Sequence, residues 1–141
     1  MTTTAPLLNP QIVGQAENAH QPILARVLAP TGTTKNQWVA LTMTATAGGA
    51  VEAARLAGQL VGALKVDPAA ARDAVAELLA ARLLADEASR VRLTDAGRAR
   101  FAEIRAAIDA IVTPAYAGIP VEDLATAARV LTTVTARLNA A

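Results

Sequence analysis

Side chains able to do chemistry are few in this 141-residue chain, and what they can do is bind. Cysteine is absent, which removes disulfides, thiol redox sensing and a thiolate nucleophile. His20 is the single histidine, so neither a histidine-based metal site nor a Ser–His–Asp triad has its parts. No acidic cluster has EF-hand spacing, and Gly48-Gly49 stands without the GxxxxGK pattern of a phosphate loop. The expectation is a non-enzyme with no metal and no cofactor. Among the cations, Arg55, Lys65, Arg72, Arg90 and Arg92 suit phosphate oxygens or base edges, the plain alternative being solvated surface positions. For a small organic ligand the candidate contacts are His20, Arg26, Trp38, Met43 and Tyr116. Trp38 also sits on an apolar helical stripe, which favours a core role, and Arg26 equally suits a surface pair with Glu17.

Helices must position these groups, since 36 of the 141 residues are Ala, the strongest helix former. The apolar fraction is 53%, yet no apolar stretch reaches the roughly 18 to 20 residues that cross a bilayer. The first cation is Arg26, too late for a signal peptide, so a cytoplasmic protein with no membrane partner is expected. Asn9-Pro10 opens a first helix to about Ala29, with Pro22 inside it as a kink. A second runs from Lys35 to Ala47, capped by Thr33 or Thr34 and stopped by Gly48-Gly49.

Residues from about Ala50 to Ala63, then Pro68 to Arg82, carry apolar repeats of 3 and 4 around a turn at Leu64-Lys65-Val66. That is helix–turn–helix spacing. The period then becomes 2: Leu83–Ala85 and Arg90–Leu93 predict two short strands joined by Asp86–Ser89, with Arg90 and Arg92 outward. Thr94 caps a further helix, which Pro114 is expected to stop, and a last helix starts near Pro120.

The fold class is therefore mainly α with a small β-hairpin wing: a winged helix–turn–helix with N- and C-terminal dimerisation helices. Its expected segments are residues 1–32, 33–100 and 101–141, forming one compact protomer. A winged helix buries its own core, which leaves Ile12 on the first helix and Leu124, Leu131, Val134 and Leu138 on the last uncovered. At about 25 cal/mol per Å² of apolar surface, such exposure forfeits several kcal/mol. A two-fold homodimer covers both stripes; folding back on the same chain is the alternative.

Three local strings resemble the MarR (multiple antibiotic resistance regulator) family. Thr34-Lys35-Asn36-Gln37-Trp38-Val39-Ala40-Leu41 is similar to the family's LTxxQWxVL opening of the second helix. Leu56-Ala57 to Pro68 is similar to its helix–turn–helix, and Val91-Arg92-Leu93-Thr94-Asp95-Ala96-Gly97-Arg98 to its VxLTxxGR string. The resemblance implies a dimer that binds a pseudo-palindromic operator in double-stranded DNA. It also implies a repressor released by a small organic effector. In this reading Ala69, Ala70, Arg72 and Asp73 face the bases from the recognition helix, flanked by Arg55, Lys65, Arg90 and Arg92.

Two departures from the family pattern support an alternative, a winged-helix dimer with weak or lost DNA binding that serves as a protein-interaction or ligand-binding module. The wing is short and has no Arg at its tip. From Lys65 to Arg82, moreover, three cations meet three anions (Asp67, Asp73, Glu77), so the reading head is neutral.

Overall fold

A computed structural model describes residues 4–141. The chain forms two compact units, one ending at Asp109 and the other spanning Ala110–Ala141. In the first, α1 (Pro10–Leu28) is capped by Asn9, whose side chain accepts from the Ile12 N–H at 2.9 Å. It continues through Pro22 and ends one residue before Ala29, in a single 3-10 turn closed by Gly32 at φ +69°. Helix α2 (Lys35–Thr46) begins with a full capping box. Thr34 Oγ1 accepts from the Gln37 N–H, and Gln37 Oε1 accepts from the Thr34 N–H, both at 3.2 Å. Two of the orphan donors of a helix start are thereby satisfied.

Between α2 and the helix–turn–helix the structure departs from expectation. Ala50–Glu52 form a strand, β1, and α3 starts only at Ala53 (Ala53–Leu64). Helix α4 covers Pro68–Ala80, and β2 (Leu84–Glu87) and β3 (Arg90–Leu93) make the wing hairpin. The sheet therefore has three antiparallel strands, with β3 between β1 and β2. Three residues cannot show a strand period; β1 exists because the free edge of β3 pairs Val51 with Val91. The hairpin is tighter than expected too. Glu87 pairs with Arg90, so only Ala88 and Ser89 turn the chain, Ala88 at φ +57°.

Burial follows the periods. Leu41, Leu56, Leu60, Leu78, Leu84 and Val91 are fully buried in one cluster formed by α2, α3, α4 and the sheet. A second cluster joins α1, α2 and the helix after the wing, α5 (Asp95–Tyr116), through Leu28, Trp38 and Ile104. Here Trp38 stacks on Phe101 with ring centroids 5.4 Å apart. Thr94 opens α5: its Oγ1 donates to the Arg82 carbonyl at 2.7 Å and accepts from the Gly97 N–H at 2.9 Å. Arg100 then anchors α5 to the segment before α2, donating to the Thr31 carbonyl (3.0 Å) and to Thr33 Oγ1 (2.9 Å).

The expected stop at Pro114 is not observed, because α5 continues to Tyr116. A proline in the last turn forgoes one backbone bond, and Gly118 at φ +82° ends the run instead. The second unit then holds α6 (Val121–Asn139), entered through Pro120 with Glu122 and Asp123 in its positive first turn.

Candidate nucleic-acid interface

The candidate reading head is the outer side of α4 with the turn before it. Ala71, Ala74, Val75 and Leu78 point into the core, which turns Ala69, Arg72, Asp73, Ala76 and Glu77 outward. Ala70, expected outward as well, is half-buried, because its angular position borders the stripe that packs on α2 and α3. Arg72 is the one Lys or Arg within α4. Ala69 and Ala76 beside it are short, so little side chain stands between the helix backbone and a groove. Lys65, at φ +55°, ends α3 in the left-handed conformation and is exposed at the turn. Arg55 is exposed on α3. Neither Arg55 nor Arg72 makes an ion pair among the described residues.

One acid of this segment is engaged elsewhere. Glu77 Oε2 accepts from Gln37 Nε2 at 2.6 Å, joining α4 to the capping box of α2. Forty positions separate the two residues, and no local spacing signals the bond.

The wing has a different electrostatic character. Arg90 and Arg92 are exposed on β3, as expected, while Val91 and Leu93 are buried. Arg90 stands opposite Glu52 of β1 and Glu87 of β2, and Arg92 Nε lies 3.8 Å from Glu87 Oε2.

Within the first unit the ligand candidates do not converge. Trp38 is in the core against Phe101, and Met43 packs half-buried against the winged-helix cluster. His20 and Arg26 are exposed on α1, with His20 Nδ1 2.6 Å from the Ala16 carbonyl oxygen. Tyr116 is exposed and belongs to the C-terminal unit.

The first unit instead has an open cleft of about 230 Å³ between α1 and the start of α2. Its walls include Gln21, Leu24, Leu28, Thr33 and Lys35, a mainly apolar surface with one cation. Sequence reasoning missed it because its residues come from two helices brought together by the Leu28–Trp38–Ile104 cluster. Of the dimerisation candidates, Ile12 and Leu124 are half-buried, while Leu131, Val134 and Leu138 are exposed.

No protein-family model and no curated protein matches the sequence. Solved structures do match the fold. A MarR family transcriptional regulator from Silicibacter pomeroyi superposes with a TM-score of 0.75 at 21% identity, over 91% of this chain and 88% of that one. A MarR family protein of Mycobacterium tuberculosis in complex with DNA gives 0.69 at 24% identity, over 93% and 98%. The same protein in complex with salicylic acid gives 0.63 at 24% identity, over 93% and 99%. This chain therefore has the winged-helix fold of the MarR family, with six α-helices and a small three-stranded sheet among the described residues.

Proposed function

We propose that the protein is a homodimeric transcriptional regulator that binds a pseudo-palindromic operator through α4 and is released from it by a small organic anion. The observation that carries this reading is the outer side of α4. It is short-chained and solvent-facing at Ala69 and Ala76, with the guanidinium of Arg72, in no ion pair among the described residues, between them. A helix of that kind enters a major groove closely, and Arg is the commonest reader of guanine. A DNA complex of the same fold supports the docking mode. Arg55 and Lys65 flank α4 and supply phosphate contacts that fix its register.

The cleft beside Lys35 suits an apolar anion, in keeping with the salicylic acid complex of the structural neighbour. A ligand acts on DNA binding only by preferring one spacing of the two reading helices.

The test is binding of the purified protein to a fluorescent duplex from its own promoter region, against scrambled DNA, at two salt concentrations. Promoter-selective binding that weakens with salt is expected. Equal or absent binding by a folded protein would overturn the reading in favour of an interaction module.

A further inference from the structure

We propose that Glu52 and Glu87 withhold the two wing arginines from DNA, so that the wing contributes no net phosphate contact; the inference rests on the DNA-binding reading above. Residues directly opposite in an antiparallel pair share one face of the sheet, with Cβ atoms roughly 4.5–5.5 Å apart. The central strand β3 thus presents Arg90 between two carboxylates, Glu52 on one side and Glu87 on the other. Glu87 also reaches Arg92, at 3.8 Å. Opposite Arg92 stand only Ala50 and Ala85, and the turn residues Ala88 and Ser89 are uncharged.

The outer face of the sheet therefore holds two cations and two anions. Asp86, exposed on β2, makes the whole sheet and turn net acidic. Exposed pairs of this sort contribute little to stability. Their effect is on the field met by an approaching backbone. A phosphate taking Arg90 or Arg92 must displace a carboxylate or accept one within a Debye length, and either offsets the gain. Sequence-independent affinity is thereby kept low, and selectivity is left to α4.

The test compares the wild-type chain, E52Q/E87Q and the quadruple variant E52Q/E87Q/R90A/R92A on a random-sequence duplex by fluorescence anisotropy across a salt series. Releasing one phosphate contact per wing in a dimer steepens the log–log salt slope by about 2. The affinity lost between about 50 and 200 mM salt then grows roughly tenfold for E52Q/E87Q. The quadruple variant is expected to return the slope to the wild-type value, since its wing keeps the wild-type net charge but has no arginine to offer. An unchanged slope in E52Q/E87Q, or a steeper slope that the quadruple variant keeps, would overturn the proposal.

All four side chains are exposed, and melting curves verify folding. If E52Q/E87Q fails to fold, the single substitution E87Q, expected to steepen the slope by a smaller amount, takes its place. Promoter selectivity of the wild type is scored separately. Its absence defeats the regulator reading, while a steeper slope in E52Q/E87Q still upholds the withheld charge.

Discussion

In the proposed regulator, Arg72 is the residue on which base reading turns. Its exposure follows from the helical period around Ala71 and Val75, so it was visible in the sequence. Truncation as Arg72→Ala is expected to cost about 1–3 kcal/mol on the operator and to relax specificity at one base pair. Titration of a set of single-base operator variants checks both; unchanged affinity on every duplex removes Arg72 from the interface. Gly97 is a residue of the opposite kind, conspicuous in the VxLTxxGR-like string but explained only by its surroundings. A Cβ there would lie 2.0 Å from the Leu83 carbonyl oxygen and 3.2 Å from Leu93 Cδ2. Backbone cannot yield as a side-chain tip does, so Gly97→Ala is expected to destabilise by about 1–3 kcal/mol, read from denaturant unfolding. A neutral result would mean that α5 shifts freely off the wing. The Glu77–Gln37 bond had no local signal at all, because it depends on how α2 and α4 pack.

At the level of elements, the ends of helices were readable wherever a cap is a local matter. Asn9-Pro10, Thr34 and Thr94 each lie within three residues of the donor they serve. Thr34→Ala removes one half of the capping box, and loss of such a cap costs about 1 kcal/mol. The expected result is a lower melting temperature with the α2 amides Gln37 and Trp38 exchanging faster; unaltered protection there would show that packing alone holds the helix start. Elements defined by a partner were not readable. Strand β1 needs the edge of β3, and α5 passes Pro114 because Gly118, not the proline, supplies the turn out. The hairpin periods of 2 were clear, yet the two-residue turn came from the pairing of Glu87 with Arg90.

For the molecule as a whole, two hydrophobic clusters account for α1 to α5, whereas α6 buries no residue among those described. Leu131, Val134 and Leu138 recur at steps of 3 and 4 and stay exposed, a pattern that a second copy would cover. Leu131→Asp with Val134→Asp is expected to yield monomers in sedimentation velocity and to abolish cooperative operator binding; a persistent dimer would place the interface elsewhere. Composition, helix period and capping residues together determined the class of the fold and the outward side of α4. These properties depend on neighbours within a turn or two along the chain. Tertiary structure alone decided the third strand, the cleft beside Lys35, the bond from Glu77 to α2 and the carboxylates on either side of Arg90. Each of those joins residues distant in sequence, and their meeting is set by which apolar faces pack together, an energy that no local spacing records.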